Sequence, residues 1–128
     1  MNARETILAY YDALRAGEPL GPFFADERPG DDAVVKDGIS ERLVGAAEVR
    51  AGLAEQTERT TDWAVESEAL RVTEREDCAW FSDRVAMGWR DTEQGVRYEF
   101  DTRWSGTLER RGDGWRFVGM HVSTADRL

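Results

Sequence analysis

The sequence has one cysteine, one histidine and one lysine in 128 residues, and each scarcity removes a class of chemistry. With Cys78 alone, neither an intrachain disulfide nor a thiolate metal cluster can form within one chain. Its apolar setting, Cys78-Ala79-Trp80-Phe81, reads as a buried, inert thiol. His121 alone cannot build a familiar metal site. There is no Gly-rich phosphate loop, no Ser-His-Asp order and no Cys/His metal spacing. Nucleotide and zinc enzymes are therefore excluded, and no cofactor or metal is expected. No apolar run approaches the roughly 20 residues that span a bilayer. The segment Met1–Glu18 carries acids at helical spacing rather than a signal-peptide pattern, so a cytoplasmic location is expected.

Bases are also short against acids, 17 to 26, for a net charge of −9. Such a chain repels phosphate, and neither nucleic acid nor an anionic membrane is an expected partner. Lys36 is the lone lysine beside sixteen arginines. That bias suits a solvated, salt-tolerant surface, and equally a GC-rich coding sequence.

What is present is a packed core in one domain spanning residues 1–128. An apolar fraction of 41%, with five Trp, five Phe and three Tyr, is enough to close a single core at this length. Asn2 with Glu5 forms a capping-box pattern, and Ala3, Ile7, Tyr10, Tyr11 and Leu14 follow as one apolar stripe. Gly17 stands where a left-handed cap is wanted, and Pro19 and Pro22 block continuation. A short helical or turn segment is expected over Leu20–Ala25. A short strand is expected at Ala33-Val34-Val35, with Leu43-Val44 as its hairpin partner, before a second helix opened by Gly45 and ending near Thr60.

From Trp63 the period becomes two. Strands are predicted at 63–74, 78–90, 96–110 and 115–124, the last two joined by an Asp113-Gly114 turn. Helices followed by hairpins imply an α+β fold with helices on one face of a curved sheet. Strict alternation puts Trp115, Phe117, Gly119, His121 and Ser123 on one face of the last strand, with Val118, Met120 and Val122 on the other. Two apolar faces would call for a cover on the outer one, and a homodimer through that face is the natural expectation.

The segment Arg103-Trp104-Ser105-Gly106-Thr107-Leu108-Glu109-Arg110, followed by Gly114 to Ser123, resembles the closing hairpin of SnoaL-like proteins in the nuclear transport factor 2-like superfamily. Ile7–Glu18 resembles that family's first helix, Asp31–Val35 its first strand, and Val44–Leu53 its strand-to-helix joint. The resemblance implies a cone: a curved mixed sheet wrapped around N-terminal helices, the cystatin-like roll, with an internal cavity and commonly a dimer. The superfamily includes ketosteroid isomerases, polyketide cyclases, dehydratases and non-catalytic binding domains, so fold does not give function.

The resemblance also nominates residues. Tyr10, in Tyr10-Tyr11-Asp12-Ala13-Leu14-Arg15-Ala16-Gly17-Glu18, matches the oxyanion-hole tyrosine of ketosteroid isomerases, and Asp37 matches their general base. Their third group, a protonated aspartate, falls near Gly106 or Thr107, where no carboxyl is offered. His121 lies on the strand where cyclases and limonene epoxide hydrolase keep an acid–base aspartate, and it can equally be a hydrogen-bonded core residue. Trp63, Phe81, Phe100, Arg103 and Trp104 are candidate contacts for a flat apolar or aromatic ligand, though aromatics at period two also fill cores. Two readings follow: a small-molecule-binding pocket domain, or a cofactor-free isomerase, cyclase or hydratase working through Tyr10, Asp37 and His121.

Overall fold

Asn2 opens helix α1 (Ala3–Ala16) with both halves of the capping box, its side chain accepting from the Glu5 N–H and its own N–H donating to Glu5. The helix closes at Gly17, whose left-handed φ of 70° turns the chain away. These contacts come from a computed structural model that describes residues 1–126. A 3₁₀ turn at Gly21–Phe23 follows. Next come β1 (Val35–Asp37), β2 (Arg42–Val44) and α2 (Ala46–Arg59). Then β3 (Thr60–Ser67), β4 (Arg71–Glu74), β5 (Cys78–Asp91), β6 (Arg97–Arg111) and β7 (Gly114–Thr124) complete one seven-stranded mixed sheet.

The strand order is β2-β1-β7-β6-β5-β3, with β4 also paired to β5. All pairings are antiparallel except β1 with β7. The fold is α+β, with two helices packed on one face of the sheet, and in the described residues no helix is long and apolar enough to cross a membrane.

Two boundaries differ from the sequence reading. The first strand starts at Val35 rather than Ala33 because the Val34 N–H is taken by the Glu27 carboxylate at 2.8 Å. The single strand expected over 63–74 is two. Asp83 accepts from Ser67 and from the Ala69 N–H, which turns the chain out of the ladder between β3 and β4. Cys78 is half-buried rather than buried.

The larger correction concerns β7. Thr107 pairs with Gly119 and Leu108 with Phe117, so Val118 is an extra residue without an opposite number. Such a bulge reverses side-chain parity beyond it. Trp115 and Phe117 point inward before the bulge, and Met120 and Val122 point inward after it. His121 is therefore exposed on the outer face, not aligned with Trp115.

The same shift removes the second apolar face. Met120 and Val122 belong to the core, and the outer face carries Trp80, Ser82, Arg84, Arg103, Ser105 and His121. The homodimer inferred from two apolar faces loses that physical basis.

Close packing at the bulge depends on Gly106. A Cβ there would lie 2.5 Å from the Gly119 carbonyl oxygen and 2.8 Å from Cε1 of Phe81. Phe81 thus occupies the space that a side chain at 106 would need. Gly106→Ala should lower stability by about 1–3 kcal/mol through overpacking, read as a lower urea midpoint at unchanged slope.

Helix α2 starts at Gly45, which has no side chain with which to cap it. Glu27 does so from a distance, accepting from the Ala46 N–H at 2.9 Å as well as from Val34. These two backbone donors hold its carboxyl below the ordinary glutamate value of 4.5. The stabilisation is complete above that value and is lost as pH falls through the lowered one. Glu27→Gln should therefore reduce stability at pH 7 and flatten the acid limb of a melting-temperature profile. An unchanged profile would remove Glu27 as the cap.

Candidate functional site

Between α1, α2 and the inner face of the sheet lies a cavity of about 840 Å³. Its inner wall is made by Tyr10 and Leu14 from α1, Met87 from β5, Trp104 from β6 and Val122 from β7, all buried. Its rim runs through Leu43, Gly52, Gln56, Arg59, Trp63, Trp89, Tyr98 and Phe100. The helical spacing that packs α1 also turns Tyr10 into the centre of the interior. Its ring meets Phe23, Phe24, Trp104 and Phe117 edge-on, with centroids 5.3–6.1 Å apart.

Two neighbouring tyrosines have different hydroxyl environments. The Tyr11 hydroxyl donates to Asp83 at 2.9 Å, and Ser67 donates to the same oxygen at 2.6 Å. With the Ala69 N–H at 3.0 Å on its other oxygen, the Asp83 carboxylate is occupied by three donors and does not line the cavity. Among the described residues the Tyr10 hydroxyl has no hydrogen-bond partner. Among the described residues, the one fully enclosed side-chain polar atom without a partner is Nε1 of Trp115, so the Tyr10 hydroxyl opens onto the cavity. Burial, and secondarily the Glu41 charge, raises its pKa well above the ordinary tyrosine value. Tyr10 is thus an O–H donor across the working pH range.

Beside it stands an ion pair that the sequence reading did not single out. Lys36 is 5% exposed, and its Nζ donates to Oε1 of Glu41 at 2.6 Å. Both residues line the cavity. Alternation along β1 turns Lys36 inward and Asp37 outward, and Glu41 reaches back from the turn between β1 and β2. The room for that return comes from Gly38, where a Cβ would meet the Glu41 side chain at 2.8 Å. The signal that could have found the pair was the chain's lone lysine, set in a short strand directly after Val34-Val35.

The nominated residues separate accordingly. Tyr10, Trp63, Phe100 and Trp104 line the cavity. Trp63 stacks on Trp89 at 4.9 Å, Phe100 lies 5.6 Å from Trp89, and Trp104 satisfies its indole N–H on Thr102 at 3.0 Å. Trp104 therefore needs no polar partner from a ligand.

The remaining four lie elsewhere. Asp37 faces out and pairs with Arg42 at 3.1 Å, and the exposed His121 sits next to it in the β1–β7 register. Tyr10, Asp37 and His121 do not meet on one cavity. Phe81 is a core residue 5.9 Å from Phe117, and Arg103 is exposed on the outer face directly opposite Arg84.

Substituting the two tyrosines should separate their roles. Tyr10→Phe should change stability by less than about 0.5 kcal/mol, since no protein partner is lost, whereas Tyr11→Phe should cost about 1–3 kcal/mol by leaving Asp83 short of a donor. Urea titrations of both variants check this, and equal costs would contradict it.

A model of the SnoaL-like domain matches residues 3–127. No curated protein matches the chain. Among solved structures, a candidate dehydratase of the nuclear transport factor 2-like family from Streptomyces avermitilis superposes with a TM-score of 0.82 at 18% identity, covering 95% of this chain and 93% of its own. A ketosteroid isomerase-like protein from Erwinia carotovora atroseptica gives 0.75 at 18% identity, over 97% and 94%. A nuclear transport factor 2-like superfamily protein from Salmonella enterica gives 0.78 at 15% identity, over 96% and 88%. At these identities the likeness is one of fold.

Proposed function

The chain belongs to the SnoaL-like family, and we propose that its cavity binds one small, flat, apolar or aromatic molecule carrying a neutral oxygen acceptor. The observation that carries this reading is the Tyr10 hydroxyl, without a partner among the described residues, opening onto an inner wall of Leu14, Met87, Trp104 and Val122. A buried donor without a partner costs free energy that a ligand acceptor recovers. A volume of about 840 Å³ falls in the range of small-molecule pockets, which combine apolar walls with a few placed polar groups.

Charge favours a neutral ligand. Lys36 and Glu41 cancel one another at 2.6 Å, so neither an anion nor a cation finds a net counter-charge in this pair. Trp104 and Phe100 would flank the ring, and Trp63 with Trp89 would close over it at the rim.

Trp63, Trp89 and Trp104 all line the cavity, which makes intrinsic fluorescence the direct readout. Titration with 2-naphthamide, a flat aromatic with an amide oxygen, should give saturable quenching at one molecule per chain. Ile39→Trp, which fills the rim with a bulkier side chain, should abolish that binding by calorimetry at unchanged melting temperature. Linear, unsaturable quenching would rule the pocket reading out.

A further inference from the structure

The geometry points to Lys36 as a carbonyl-condensing residue: its amine forms an imine with an aldehyde or ketone borne by the cavity's ligand. This rests on the pocket reading above and deepens it by naming the ligand's reactive group.

The first observation is one of distribution. The chain has sixteen arginines and one lysine, and that lysine is a buried basic side chain on the lining of the cavity. A guanidinium serves for salt bridges and hydrogen bonds, but it neither loses its proton in proteins nor acts as a carbonyl nucleophile. A lysine amine does both. Placed on β1, whose backbone is paired on both sides to β2 and β7, Lys36 has a fixed anchor for its reach into the cavity.

The second observation is the company it keeps. Glu41 Oε1 lies 2.6 Å from the amine nitrogen, and the Glu41 side chain is 37% exposed, so it joins the buried amine to water. Tyr10 adds a hydroxyl donor on the same cavity. Condensation needs a proton acceptor for the ammonium, a donor to the carbonyl oxygen and an apolar wall to hold the carbonyl compound, and all three are present.

The step balances without any other reactant. Glu41 takes a proton from the Lys36 ammonium, and the nitrogen lone pair attacks the carbonyl carbon. The C–N bond forms as the C=O π pair moves to oxygen. That oxygen takes a proton from the now cationic nitrogen, relayed by the Tyr10 hydroxyl, to give a neutral carbinolamine whose nitrogen has its lone pair back. The proton that Glu41 took from the ammonium now goes to that hydroxyl, which leaves as water as the nitrogen lone pair closes the C=N bond and Glu41 is again a carboxylate. Ammonium plus carbonyl becomes protonated imine plus one water, with no change of oxidation state.

The experiment uses 6-methoxy-2-naphthaldehyde with borohydride, which reduces any imine to a stable secondary amine seen by intact mass and located by peptide mapping. One adduct at Lys36 is expected. Its rate should saturate with aldehyde concentration and be suppressed by 2-naphthamide. Glu41→Gln should slow trapping by about a hundredfold, the lower end of general acid–base effects. Lys36→Met should take no adduct. Lys36→Arg keeps the positive charge beside Glu41, and it must also take no adduct at that position. Labelling that rises linearly with aldehyde, or that is confined to the α-amine, overturns the imine while 2-naphthamide binding leaves the pocket intact. Loss of 2-naphthamide binding to the unmodified chain overturns the pocket itself.

Discussion

The aromatic cluster around Tyr10 is the interaction on which both the core and the cavity depend. Its ring contacts four others edge-on, joining α1 to the 3₁₀ turn, to β6 and to β7. Burying a ring of this size contributes roughly 1.5–3 kcal/mol, with further small gains from each edge-to-face contact. Because the packing is carried by the ring, the hydroxyl is left over. A phenylalanine would pack as well. The oxygen is thus better explained by what enters the cavity than by what holds the core.

Much of this architecture was legible because local rules and tertiary packing agree. Asn2 and Glu5 mark the start of α1, Gly17 marks its end, and the Tyr10 stripe marks its buried face. In β5, alternation correctly separates Phe81, Asp83, Val85, Met87 and Trp89 from the outward residues between them. Alternation fails in β7 for one physical reason. A bulge adds a residue without a compositional signature when the extra residue is Val118, which fits any strand. Everything beyond it reverses, which moved His121 out of the interior and brought Met120 and Val122 in.

The candidate site was legible only in part, for a related reason. The lining aromatics Trp63, Phe100 and Trp104 were picked out as aromatics at period two, and Tyr10 by its match to the tyrosine of the family's first helix. The polar pair was not, because its members come from a three-residue strand and a turn, where no period can be read. Lys36 and Asp37 are adjacent and of opposite charge, and only the pairing of β1 with β7 decides which one faces inward. On the outer face, Arg84 and Arg103 stand directly opposite each other, an arrangement that costs rather than contributes stability.

The junction of α2 and β3 has a mechanical consequence. Arg59 ends the helix and Thr60 begins the strand with no residue between them. Thr60 donates to the Gln56 carbonyl and accepts from the Trp63 indole N–H, at 2.6 and 2.8 Å. Helix end, strand start and Trp63 are therefore tied together through one threonine hydroxyl. The Gly38–Glu41 turn also lines the cavity, and it is held by the Gly38 N–H on the Glu41 carbonyl and by Lys36 on the Glu41 carboxylate. An edge of the cavity and one of its charges are therefore the same piece of chain.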